Sequence, residues 1–186
     1  MPLHKLNKFY FILPILIFLI LWQIISISGQ VNITLFPPPT KVFSAFVELW
    51  NSGQLILDIK SSILRLLSGL LLGSLFGISV GLLTGRINMI DKSFSPLLNF
   101  LRSLAPVAII PIIIVWLGIG EKAKLFSISF GVFFPVWINT HIGASDIPIH
   151  YLQAASTLTK SFFKRLFKVI LPASLPFIFA GIRTGI

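Results

Sequence analysis

Four stretches of this 186-residue chain carry no charged side chain: Phe9 to Ile27, Leu66 to Gly85, Leu104 to Gly120 and Leu125 to Gly143. An α-helix rises about 1.5 Å per residue, so about 20 apolar residues cross a hydrocarbon core of about 30 Å. A fifth apolar run starts near Leu171. Composition agrees, because the chain is 55% hydrophobic and only 11% charged, where soluble domains carry about 25% charged residues. The expected fold class is all-α: a polytopic membrane helix bundle with five helix starts. Its approximate spans are 9–29, 62–85, 104–120, 125–143 and a partial 172–186, all within one membrane domain over residues 1–186.

Local signals refine each run. Lys5 and Lys8 precede the first, as in a signal peptide, but its apolar stretch exceeds the roughly 7–15 residues of a signal core. It reads as a retained helix. Phe36-Pro-Pro-Pro-Thr40 cannot be helical inside a membrane. Thr40 is placed to cap a short helix from Lys41 to about Asn51, with Val42, Phe43, Phe46, Val47 and Trp50 on one face. That face suits either the membrane interface or packing on the bundle. In the second run Gly69, Gly73, Gly77, Gly81 and Gly85 recur every fourth residue. Such a stripe lets a neighbouring helix approach to backbone contact; helix packing and a place on a substrate path are both open to it. Pro106 and Pro111 should kink or break the third run.

The net charge of +10 needs a location before it can mean anything. With the N-terminus inside, the inner loops hold Lys5, Lys8, Arg86, Lys92, Arg102, Lys160, Lys164, Arg165 and Lys168, and the outer ones Lys41, Lys60, Arg65, Lys122 and Lys124. Nine cations against five orient the N-terminus to the cytoplasm. The charge is thus a matter of topology, and no aromatic–basic interleaving of a nucleic-acid binder accompanies it. There is no cysteine, so no disulfide, thiolate metal site or thiol nucleophile. All five acidic residues, Glu48, Asp58, Asp91, Glu121 and Asp146, lie outside the apolar runs. Ion-driven carriers usually bury an Asp, Glu or His on their path; only His141 qualifies, near a helix end, where an interfacial role is the commoner one. No phosphate-binding loop, catalytic set or metal cluster can be assembled. The chain reads as a non-enzyme without cofactor or metal, and any uphill transport would draw its energy from another polypeptide.

The polar segment 144–170 is the most informative. It contains Gln153-Ala154-Ala155, then Thr159, then Val169-Ile-Leu171-Pro172. This resembles, without a gap, the signature loop of ABC-importer permeases: Glu-Ala-Ala, three residues, Gly, nine residues, Ile-x-Leu-Pro. Gln153 stands for the Glu, Thr159 for the Gly and Val169 for the Ile. Thr tolerates φ > 0 poorly, which puts the family's usual turn in question here. The resemblance extends over roughly residues 35–186, through Leu35-Phe-Pro-Pro-Pro-Thr40, Ser62-Ile-Leu-Arg65, Arg102-Ser-Leu-Ala-Pro106, Ile110-Pro111, Trp116-Leu-Gly-Ile-Gly-Glu121 and Phe133-Phe-Pro135. These look like the nitrate/sulfonate/taurine branch.

The resemblance implies a bacterial inner-membrane, multi-pass subunit that pairs with a second copy of itself, two cytoplasmic ABC ATPase subunits and an external solute-binding protein. It implies a coupling helix over Ile147–Thr159, with Gln153, Ala154, Ala155, Thr159, Leu171 and Pro172 as the ATPase-coupling residues. A small anion such as a sulfonate, taurine or nitrate is the expected cargo; a pyrimidine- or riboflavin-like solute, or a non-transporting scaffold, are the alternatives. For Asn139 and Thr140, lining a pore and helix-packing hydrogen bonds are both open. Arg183, inside the fifth run, is either functional or snorkelling. From Ala173 to Ile186 the run has 14 residues, about 21 Å of helix. It therefore looks truncated within its last span, as in a fragment or a shortened gene product.

Overall fold

A computed structural model describes residues 6–28, 31–104 and 106–186. The described residues contain helices and no strand: α1 Leu6–Ile27, α2 Pro39–Asn51, α3 Gln54–Arg86, α4 Asn88–Ser103, α5 Pro106–Leu117, α6 Glu121–Ser145, α7 Ile149–Leu158, α8 Phe162–Arg165 and α9 Leu171–Gly185, with a π-turn over Leu166–Ile170 between the last two. The chain forms two compact units, Met1–Ser61 and Ser62–Ile186.

In the first unit α1 meets the start of α2 through side chains. The Trp22 and Phe36 ring centroids lie 5.7 Å apart. Gln23 Nε2 donates to Thr40 Oγ1 at 3.2 Å, and the Thr40 amide donates to Gln23 Oε1 at 3.4 Å. Thr40 therefore does not cap α2, as its position suggested. The cap is Pro38, in extended conformation with no side-chain hydrogen bond, and Pro39 opens the helix. Proline suits that place, because its missing N–H is one the helix would leave unpaired and its φ is preset. Val42, Phe43, Phe46, Val47 and Trp50 are exposed within this unit. Gly53, between α2 and α3, has φ +72°, a value most side chains avoid.

The second unit is built around α6. α9 packs extensively along it and α5 packs on another part, while the glycine face of α3 lies against it. Val136, Trp137, Thr140 and Ala144 on α6 have no exposed surface at all. A β-carbon placed on each stripe glycine would collide with this helix. It would meet Ile128 at Gly69, the Ser129 carbonyl and Val132 at Gly73, and the Phe133 carbonyl and Val136 at Gly77. At Gly81 it would meet Thr140 and the Trp137 carbonyl, and at Gly85 the His141 carbonyl and Ala144. The four-residue spacing keeps the glycines on one side of α3, and α6 advances one turn for each of them. The α6–α9 seam uses the same device at Gly143, filled by Phe177, and at Gly181, against Val136 and Asn139.

Among the described residues, three helical segments are long and apolar enough to cross a membrane, α3, α6 and the continuous stretch Phe162–Gly185, and a fourth is reached if the bent pair of α4 and α5 counts as one span. The stretch Phe162–Gly185 begins ten residues before the expected 172. Ser161 caps it, its hydroxyl accepting from the Lys164 amide. Its 24 residues amount to about 36 Å, and its first turns carry Lys164, Arg165 and Lys168 ahead of the apolar run. The wide π-turn sits directly before Pro172, whose ring has no N–H for the Lys168 carbonyl; a locally wider turn relieves that mismatch. The third run is shorter than its apolar length. α5 covers only Pro106–Leu117, about 18 Å, and ends where Gly118 takes φ +75° and donates to the Ile114 carbonyl at 2.8 Å.

Candidate functional site

The Gln153-Ala154-Ala155 motif lies on α7, a ten-residue helix between α6 and α8. Pro148 precedes it in extended conformation, and proline disfavours helix in the residue before it, so α6 and α7 are separated rather than fused. α7 is seated by few residues. Ala155 is 4% exposed. Leu152 packs on an apolar cluster of Leu82 from α3, Ala144 from the end of α6, Ile147 from the connection that follows it, and Leu166 and Ile170 from the π-turn. Leu171 joins the same cluster, whereas Pro172 is exposed. Gln153 and Ala154 face away and are exposed, as are Ile149 and Tyr151 at 67% and 59%. The two alanines thus divide their work: Ala155 fits the helix to its own protein, and Ala154 leaves a shallow place on the outer face. Behind α7, a cavity of about 430 Å³ reaches from Ile147 and Tyr151 to Lys168 and Phe177.

Thr159 ends α7 in extended conformation, φ −155°. Its amide donates to the Ala155 carbonyl at 3.1 Å, and its Oγ1 accepts from the Ser161 amide at 3.3 Å. No left-handed residue is used here, so threonine is accommodated without strain and ties the α7 end to the cap of α8.

Above α7 the ends of α3 and α6 are joined by polar contacts that the sequence did not announce. Thr84 Oγ1 donates to the Val80 carbonyl at 2.9 Å, within its own helix. Trp137 Nε1 donates to the same hydroxyl at 3.2 Å, and His141 Nδ1 lies 3.1 Å from it. The hydroxyl, which has one proton and two lone pairs, also lies 3.3 Å from the Gly81 carbonyl, so one side chain of α3 meets two of α6. Asp91 of α4 reaches toward that nitrogen at 3.9 Å and accepts a short hydrogen bond from Ser95. One turn on, Arg86 Nη1 donates to the Ala144 carbonyl and Ser145 Oγ to the Gly85 carbonyl, both at 3.2 Å. Arg86 thereby satisfies a carbonyl in the last turn of α6, where a cation is favoured. His141 was visible in the sequence as the lone titratable group of an apolar run. Its partner Thr84, 57 residues away, carried no signal, because threonine is ordinary in such a helix.

Of the remaining candidates, two fall on helix interfaces. Asn139 Nδ2 donates to the Pro135 carbonyl of its own helix at 2.8 Å, and its Cβ faces Gly181. Thr140 is fully buried against Gly81, and its hydroxyl has no partner among the described residues. Arg183 is exposed on α9. At the opposite end of α6, Arg65 holds Glu121 through two bonds, Nε–Oε2 at 2.6 Å and Nη2–Oε1 at 2.9 Å, with Lys124 Nζ on the same carboxylate at 3.1 Å. Arg65 and Lys124 line a cavity of about 440 Å³ walled by Ile110, Ile113 and Ile114 of α5.

A family model described as binding-protein-dependent transport system inner membrane component matches residues 69–186. A Bacillus subtilis protein named as an aliphatic sulfonates transport permease is 37% identical, over 94% of this chain and 63% of its own length. A Synechocystis protein named as a bicarbonate transport system permease is 34% identical, over 94% and 65%. An ABC transporter permease of Methanocaldococcus jannaschii is 33% identical, over 89% and 63%. The chain therefore spans under two thirds of the length of these relatives. With the membrane-length helices, the seated α7 and a family match over both, the chain belongs to the family of binding-protein-dependent transport system inner membrane components.

Proposed function

We propose that the chain is a membrane-spanning subunit of an ATP-driven importer for a small anion, of the sulfonate, taurine, nitrate or bicarbonate kind. Two copies would form the translocation path, with the N-terminus of each in the cytoplasm. A solute-binding protein would deliver cargo outside, and ATPase subunits would dock on α7 inside. The observation that carries this reading is α7 itself. It is seated through Leu152 and Ala155 and leaves Gln153, Ala154, Ile149 and Tyr151 to a partner. An exposed face mixing apolar and polar groups on a short, anchored helix suits docking into a cleft of another protein. Closure of the ATPase pair on nucleotide would then push on α7 and switch the bundle between inward- and outward-open states.

The cargo class rests on two relatives named for anions. The test has two arms. Co-purification with a co-expressed ABC ATPase subunit should be lost when Gln153-Ala154-Ala155 is replaced by bulky charged residues; retained association and transport would overturn the coupling assignment. Uptake of ethanesulfonate, taurine, nitrate and bicarbonate, each compared between parent and deletion strain, should drop for one of them. Unchanged uptake of all four would overturn the anion assignment.

A further inference from the structure

The polar clasp between α3 and α6 sits directly over α7, and nothing in the docking role of α7 requires it. Thr84 is 2% exposed and Trp137 fully buried, so their hydrogen bond at 3.2 Å is made where water cannot substitute for it. Three further contacts act on the same two helix ends: His141 to Thr84, Arg86 to the Ala144 carbonyl, and Ser145 to the Gly85 carbonyl. Gly81 and Gly85 bring the backbones so close that neither helix can roll past the other. Below them, Leu82 of α3 and Ala144 of α6 belong to the cluster that seats Leu152 of α7. The ends of α3 and α6 are therefore joined by a polar knot, and α7 is joined to them by the apolar seat at Leu152.

We propose that Thr84 is a positioning residue that locks the ends of α3 and α6 into one rigid lever, so that a push on α7 moves both helices together instead of bending the α6–α7 joint. This rests on the permease reading given above. The hydroxyl is the essential part, because it accepts from Trp137 and lies within hydrogen-bonding distance of His141, both on α6, while belonging to α3. The shape of the residue is secondary. Bistable elements transmit force only when the moving body is stiff, and a single saturated hydroxyl between two glycine-packed helices supplies that stiffness. Through Asp91, 3.9 Å from His141, the first turn of α4 borders the same knot.

The chain has no cysteine, so two can be introduced cleanly. Nitroxide labels at Ser79→Cys on α3 and Ser156→Cys on α7, both exposed sites, report the α3–α7 separation by pulsed electron resonance. The full protein is assembled with its ATPase subunits in nanodiscs and measured without nucleotide and with Mg-ATP and vanadate. The expected result is one narrow distribution, unchanged between the two states. Thr84→Val, which keeps the volume and removes the hydroxyl, should broaden it to about twice its width. Thr84→Ser, which keeps the hydroxyl and loses the methyl, should preserve it. A shift of about 5 Å on vanadate trapping with Thr84 intact, the size of one helical turn, would overturn the lever. So would a Val variant as narrow as the parent, or a broad Ser variant, since that order belongs to packing. Failure of the parent to assemble with the ATPase subunits overturns the permease reading, and the proposal with it, before any distance is read.

Discussion

Replacing Gly81 by alanine tests the seam on which both the fold and the lever depend. A β-carbon there would lie 2.6 Å from Thr140 Cβ, 2.8 Å from the Trp137 carbonyl oxygen and 2.9 Å from Thr140 Cγ2. Ordinary carbon contacts begin near 3.5 Å, so α3 and α6 must separate by about 1 Å at this level. Neither obstacle is the loose end of a long side chain: one is backbone, and the other is the branch point of a fully buried threonine. Overpacking of this kind costs about 1–3 kcal/mol, offset by about 1 kcal/mol from the better helix propensity of alanine. A net loss of about 1–2 kcal/mol remains, which for a chain of this size lowers the melting temperature by about 2–8 °C. The control is Gly131→Ala, on α6 in helical conformation with nothing within 4 Å of the added carbon; it keeps only the propensity gain and should raise stability slightly. Thermal unfolding of both variants in one detergent, followed by circular dichroism, decides the matter. A Gly81→Ala protein as stable as Gly131→Ala would refute the close approach of α3 and α6.

The two motif alanines should separate by assay. Ala155→Phe, at a site 4% exposed, should release α7 and raise protease sensitivity between Asp146 and Ser161, whereas Ala154→Phe should leave the digestion pattern unchanged and abolish ATPase co-purification. Arg65→Ala and Glu121→Ala should each lower stability slightly, with less effect in high salt, and the double variant should be no worse than either single one; additive losses would argue against the pair. Gly118→Ala should destabilise by about 1 kcal/mol although space surrounds it, because φ +75° strains any residue with a β-carbon, and Gly118→Asn should recover part of the loss in a melting experiment.

Much of the molecule was legible because its signals are periodic or covalent. Charge-free length marked α3 and α6, and the four-residue glycine repeat marked the face on which α3 is approached. The spacing of the Gln153 motif marked α7. Other features depended on which competing local preference prevails. Thr40 looked like a cap, but Pro39 already supplies a helix start and Gln23 takes the threonine. Thr159 looked unsuited to a glycine position, and the chain took an extended route through it. The last helix begins at Phe162 because the apolar faces of Phe162, Leu166 and Ile170 are covered by the α7 seat, an environment that hydropathy along the chain does not describe.

By itself the sequence determined a bundle of apolar helices with a small-residue seam, since run length and residue volume are properties of one segment at a time. Which helix fills the seam was decided in three dimensions: α6 carries Ser129, Val132, Val136 and Thr140 at the heights of successive glycines. The tertiary structure also decided that Asn139 lies against Gly181 and Thr140 against Gly81, and that Thr84, Trp137 and His141 meet. Hydrogen bonds between residues more than 50 positions apart depend on the relative height and rotation of two helices, and those are fixed only when backbone contact at Gly81 and Gly85 sets the register.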